Sequence, residues 1–141
     1  MITVDYASLV SRADLVYLSP VEYGYEGQPI GNGRMGTAVW TTPNAVHMQI
    51  NRSDVLAVNK NHGGKRGGPT DYCGGCAQVM VDVGGKPFQP GETFTQRLSL
   101  YDAECVIVGE SVIVRCFISS VADVLALEVD DQRVEPRPLR L

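Results

Sequence analysis

Hydrophobic and polar positions along this 141-residue chain alternate in short stretches, and Gly, Pro, Asn and Asp break them. Runs rich in β-branched and aromatic residues predict strands at Gly36–Trp40, Ala45–Ile50, Ala77–Val83, Thr93–Tyr101, Glu104–Val108, Val112–Ser119 and Val124–Val129. In Thr93–Tyr101, Phe94, Leu98 and Leu100 share one face, with Gln96 as the exception. Gly109-Glu110-Ser111 reads as the turn of a hairpin from Cys105 to Phe117. Helical periodicity is scarce: Ser11–Leu18 is predicted as a helical turn, with Ser11 as its cap and Asp14 three residues on. Strands at this spacing predict an all-β antiparallel β-sandwich with little helix. Residues 1–20 read as a lead-in and residues 21–141 as the sandwich.

The run Gly31-Asn32-Gly33-Arg34-Met35-Gly36 has the G-x-G-x-x-G spacing of a dinucleotide-binding turn. That turn works only between a buried strand and a helix whose N-terminus receives the pyrophosphate. The residues before it are polar and rich in Gly and Pro, and Thr37–Thr42 after it is β-branched and aromatic. The next apolar stretch begins at Ala45, too soon for a crossover helix. The glycines are instead expected to let the chain turn into a β-hairpin.

A net charge of −4 supplies no basic footprint for nucleic acid. No apolar run approaches the length of roughly 20 residues that a membrane-spanning helix needs. Met1–Tyr6 lacks the charged and then apolar regions of a secretory signal. At the other end a new apolar segment opens at Leu139, so the chain is expected to be a piece of a longer polypeptide, truncated within its sandwich.

Asn59–Gly75 is crowded with glycine and lacks periodicity, which predicts a long loop that meets a ligand or a neighbouring domain. Cys73-Gly74-Gly75-Cys76 has the C-x-x-C spacing but enters a predicted strand, without the second ligand pair of a zinc site or the helix of a redox motif. No metal and no cofactor is therefore expected. Cys105 and Cys116 fall opposite each other in the predicted hairpin and are expected as two buried thiols. His47 and His62 have no evident nucleophile partner, and Ser53 lies in no G-x-S-x-G elbow. Trp40, at the end of a strand, is expected in the core, and Tyr23, Tyr25 and Tyr72 lie near turns.

Gln28–Trp40 followed by Gln49-Ile50-Asn51-Arg52-Ser53-Asp54 resembles the opening of the N-terminal β-sandwich of α-L-fucosidase-like glycoside hydrolases (family ninety-five). That family opens with a P-L-G-N-G-R-x-G segment, a short strand and an x-L-N-x-D segment. Thr95–Ala103 and Val114–Ser120 also resemble its hairpin, where an Arg and a Phe-x-Ser recur. Thr70–Cys76 is more similar still to an uncharacterised branch, known as a domain of unknown function, with the same sandwich ahead of a helical barrel. Its C-x-x-C sets this chain apart from typical fucosidases.

The resemblance implies part of a galactose-mutarotase-like supersandwich, a carbohydrate ligand and a secreted or periplasmic full-length form. It also implies a C-terminal (α/α)6 barrel that carries the catalytic carboxyls. No catalytic residue is expected in this chain, which would act as an accessory segment. Asn51, Asp54, Asp71 and Tyr72 are the candidates for the rim of a sugar pocket or a domain interface. The alternative is a free-standing carbohydrate-binding or interaction module. Read without the resemblance, Asn51 and Asp54 are turn residues that bond backbone amides.

Overall fold

The computed structural model of the protein describes residues 3–59, 70–91 and 93–141. Its strands form two antiparallel sheets stacked as a sandwich. The five-stranded sheet runs β1 (Leu15–Tyr17), β6 (Thr95–Ser99), β7 (Glu104–Gly109), β8 (Val112–Ile118), β9 (Leu125–Asp131). The four-stranded sheet runs β2 (Gln28–Gly31), β3 (Met35–Thr42), β4 (Ala45–Asn59), β5 (Thr70–Asp82). All seven predicted strands are present, and the chain leaving Gly36 is extended and antiparallel rather than helical.

The alternation of small β-branched residues builds the core directly. Val39, Val46, Met48 and Val81 from one sheet meet Leu98, Ile107, Val114 and Cys116 from the other. Phe88 and Phe94, both buried, meet edge to face with ring centroids 6.3 Å apart. The β7–β8 hairpin turns through Glu110 and Ser111, and Ser111 takes φ +53°. Cys105 and Cys116 pair in register as buried free thiols.

Two strands lacked a recognisable pattern. Leu15–Tyr17 is only three residues long and forms because β6 offers it a free edge, with Leu15 opposite Leu98. Helix α1 lies earlier, at Tyr6–Val10, with Ser11 at its C-cap rather than as an N-cap, and of the predicted helical turn over Ser11–Leu18 only a 3-10 turn at Ser11–Ala13 forms before β1. Asp5 is the N-cap, its carboxylate accepting from the Ser8 N–H at 3.1 Å. Asp14 turns instead to β6, where it accepts from the Leu100 N–H at 2.9 Å and from Arg97. Gln28–Gly31 contains Pro29 but lies on an edge strand, where sheets tolerate proline.

Other expectations are corrected. Trp40 is half-buried on the outer face of the four-stranded sheet, where it stacks on its cross-strand neighbour His47 with ring centroids 5.3 Å apart. Gln96 is buried on the core face, whereas Leu100 lies past the end of β6 and is exposed. The predicted loop Asn59–Gly75 is strand at Asn59 and over Thr70–Gly75; residues 60–69, with His62, lie outside the described residues. Antiparallel pairing with β4 supplies backbone partners there, so the glycines do not prevent a ladder.

Candidate functional site: the rim around Asp54

The Asn51–Asp54 segment sits where β4 departs from regular pairing. Asn51 is opposite Gly75 and Leu56 is opposite Cys73, so four residues of β4 bulge against one of β5. Bulges of this kind re-aim side chains. On the other side β4 stays in step with β3, with Arg52 opposite Met35 and the Ser53 N–H donating to the Arg34 carbonyl at 2.9 Å. Beyond the bulge, β4 and β5 continue as a two-stranded ribbon that β3 does not reach.

The bulge brings Asp54 against the β2–β3 turn. Arg52 forks onto it, Nε to Oδ1 and Nη2 to Oδ2, both at 2.9 Å. Arg34 Nη2 adds a contact to Oδ2 at 3.0 Å. Asp123, in the β8–β9 connection, faces both arginines at 3.4 Å. Asn32 locks this corner: its Oδ1 accepts from the N–H groups of Arg34 (3.0 Å) and Met35 (2.8 Å). Its Nδ2 donates to the Ser119 carbonyl at 2.9 Å, tying the two sheets together. Gly33, at φ +90°, supplies the left-handed step that the turn needs.

The electrostatics follow from this geometry. Hydrogen bonds from Arg52 and then Arg34 hold the Asp54 carboxyl well below the usual carboxylate range, and Asp54 raises Arg52 in return. Such a group stays ionised and accepts hydrogen bonds, the opposite of the raised value that suits a general acid. Two arginines against two aspartates also leave the cluster without excess charge. A shallow cleft of about 320 Å³ lies beside it, lined by Gly33, Arg34, Met35, Asn51 and Ser53 among others. Asn51 is exposed there, while Gly75 leaves room over β5 for the side chains of Gln49 and Asn51.

Of the four predicted rim residues, Asn51 and Asp54 are thus together. Asp71 and Tyr72 lie along the ribbon in β5, opposite Val58 and Ala57; their side chains are outside those described. Arg34, Arg52, Asn32 and Asp123 complete the cluster and were not singled out from the sequence. The first three lay inside the motifs already recognised, but Asp123 carried no signal.

A separate aromatic group occupies the outer face. Tyr23 and Tyr25 stack in parallel, 5.2 Å apart, with Tyr25 83% exposed. The Trp40 indole packs against Gly24 between them, so closely that an added Cβ would lie 3.1 Å from the ring. His47 Nε2 hydrogen-bonds Thr42 Oγ1 at 3.0 Å, and burial lowers its pKa. Among the described residues no three His, Cys, Asp or Glu side chains converge as metal ligands.

No curated protein matches this sequence. The family model described as Domain of unknown function (DUF5703), N-terminal part, matches residues 16–135, from the second residue of β1 to just past β9. The matched span includes both sheets and the whole Asp54 corner, and the chain therefore belongs to the DUF5703 N-terminal domain family.

Proposed function

We propose that this domain is the accessory β-sandwich of a carbohydrate-active, glycoside-hydrolase-like protein, in which a helical barrel supplies the catalytic acids. The observation that carries the reading is the state of Asp54. It is the acid of the Asn-Arg-Ser-Asp segment that resembles the family ninety-five motif, and two arginines hold it as a fixed anion. It shapes a rim and leaves proton transfer to other residues. Asn51 is left facing the cleft, with an amide able both to donate to and to accept from sugar hydroxyls. The β4–β5 ribbon, carrying Asp71 and Tyr72, continues from the same corner beyond the reach of β3, and a neighbouring domain would cover it. A two-stranded ribbon is marginal by itself and gains stability from a surface to lie on.

The test compares this 141-residue protein with a polypeptide that carries the domain ahead of its barrel. The longer protein is expected to hydrolyse aryl glycosides, with Asn51→Ala raising KM more than it lowers kcat. Hydrolysis by the 141-residue protein alone would overturn the accessory role.

The exposed Tyr23–Tyr25 pair favours a second reading, a carbohydrate-binding module, because flat rings stack on sugar faces. Glycan-array binding by the isolated domain that Tyr25→Ala abolishes and Asn51→Ala leaves intact would select it.

A further inference from the structure

The two sheets close on each other at the β1–β2 side, where Gln28 of β2 reaches the Leu15 carbonyl of β1 at 2.9 Å, and each turns its other face outward. The register of β3, β4 and β5 lays out the outer face of the four-stranded sheet in three cross-strand rows. Trp40, His47 and Met80 form the first, Ala38, Gln49 and Gln78 the second, and Gly36, Asn51 and Gly75 the third. At about 3.4 Å per residue and about 4.8 Å between strands, the rows cover about 14 Å along the strands and about 10 Å across them.

None of these nine residues carries a charge at neutral pH, since burial lowers the His47 pKa. This is not the habit of the fold. On the five-stranded sheet, Arg97, Val106, Arg115 and Glu128 lie side by side in one row and Glu104 stands in the next. A sheet face turned to water is ordinarily polar, and here charge is used on one sheet and withheld from the other.

The uncharged face is not apolar either. Its one aliphatic side chain larger than alanine is Met80, and its centre is Gln49 flanked by Ala38 and Gln78. Gln49 Nε2 donates to the Ala77 carbonyl at 3.3 Å, which fixes that amide over Gly75. A Cβ at position 75 would stand 3.0 Å from the same nitrogen, so the glycine lets the amide lie there. Gln78 and Asn51 are exposed. A protein partner would want aromatic or aliphatic anchors at the centre, and a charged polymer would find no counter-charge. Amides both donate and accept, as sugar hydroxyls do. The third row ends at Asn51, so the face runs without a break into the cleft beside Asp54.

We propose that this face holds a strand of neutral polysaccharide between the Trp40–His47 stack and Asn51. The inference rests on the carbohydrate reading above and names its substrate class, a neutral polymer rather than a free mono- or disaccharide. Gln49, Gln78 and Asn51 bond hydroxyls along the strand, the Trp40–His47 stack and Met80 pack against sugar rings, and Gly36 and Gly75 keep the floor low where the strand passes to the cleft.

The experiment runs the 141-residue protein by native electrophoresis through gels that contain mixed-linkage β-glucan, arabinoxylan, galactomannan or dextran, with polygalacturonate as the charged control. At least one neutral polymer is expected to retard it, and polygalacturonate is not. A hexasaccharide of the retarding polymer should shift the Gln49, Gln78 and Met80 amide resonances in NMR and bind about tenfold tighter than its disaccharide, as one or two added hydrogen bonds allow. Gln78→Ala combined with Asn51→Ala should weaken the hexasaccharide by about tenfold while retaining the strand signal in circular dichroism. Retardation by polygalacturonate alone, or by none of the polymers, would overturn the proposal. So would resonance shifts confined to Tyr23 and Tyr25 with the double variant binding as before, a result that leaves the binding-module reading standing. Aryl glycoside hydrolysis by the longer protein tests the accessory role separately, so either can fail without the other.

Discussion

Gln28 of β2 and Gln96 of β6 face each other across the sandwich, both buried, with Gln96 Nε2 donating to Gln28 Oε1 at 3.3 Å. Gln28 Nε2 donates to the carbonyls of Leu15 (2.9 Å) and Gln96 (3.1 Å), and Gln96 Nε2 donates to that of Val39 at 2.9 Å. The pair stitches both sheets together at the closed side, and among the described residues no buried side-chain polar atom lacks a partner. Because the network is complete, breaking half of it is worse than removing it. Gln96→Leu leaves the Val39 carbonyl and Gln28 Oε1 short of donors and is expected to cost about 1–3 kcal/mol in urea unfolding. Gln28→Leu combined with Gln96→Leu should cost less than the sum of the single changes. Strict additivity would show that the two amides are not coupled.

Gly109 ends β7 directly beneath the Pro87 carbonyl, which accepts from the Glu110 N–H at 3.0 Å. A Cβ at Gly109 would collide with that carbonyl and the Phe88 ring. Gly109→Ala is expected to lower stability by about 1–3 kcal/mol, the usual cost of overpacking, and to shift the Phe88 ring resonances in NMR. An unchanged midpoint would mean that the 87–88 segment gives way freely.

Acid stability should depend on Asp131. Arg133 forks onto its carboxylate at 2.6 and 2.7 Å and donates to the Val83 and Gly84 carbonyls, clamping the end of β9 to the exit of β5. Those bonds hold the Asp131 carboxyl well below its ordinary value. A lowered carboxylate contributes fully above the unfolded pKa of about 3.9 and loses its contribution as pH falls through the folded value. Tm should therefore be level from neutral pH to about 4 and drop below it. Asp131→Asn should lower Tm at neutral pH and flatten the acid limb. Asp54→Asn, at an exposed and salt-screened cluster, should have the smaller effect, one that vanishes in high salt. A wild-type profile that Asp131→Asn merely displaces, without flattening, would remove the clamp from the explanation.

Thiol chemistry should divide the cysteines. Cys76 is exposed, whereas Cys105 and Cys116 are buried, and the neighbouring Cys116 thiol together with burial pushes Cys105 upward. Peptide-resolved alkylation of the native protein should label Cys76 and reach Cys105 and Cys116 only after unfolding. Early labelling of Cys105 would show that the sandwich opens locally around β7.

The seven longer strands and the β7–β8 hairpin were legible because their patterns are local: β-branched runs, period-two alternation and turn residues at the joints. The turn at Gly31–Gly36 was legible for the same reason, since the absence of a following helix could be read directly. The Asp54 corner was half legible. Asn51 and Asp54 stood in a recognisable segment, but their meaning depended on partners far along the chain, Arg34 and above all Asp123.

Local periodicity by itself determined that this chain pairs antiparallel and buries alternate faces, because side-chain direction in a strand follows from covalent geometry alone. Tertiary structure decided everything that required two distant segments to meet. It turned Leu15–Tyr17 into a strand, since three residues acquire that conformation only from the edge of β6. It buried Gln96, because Gln28 waited opposite to satisfy it, and sent Trp40 outward to lie on His47. It also gave Asp54 its ionic partners, because a bulge brought two guanidinium groups to one carboxylate, a convergence that spacing in one dimension does not encode.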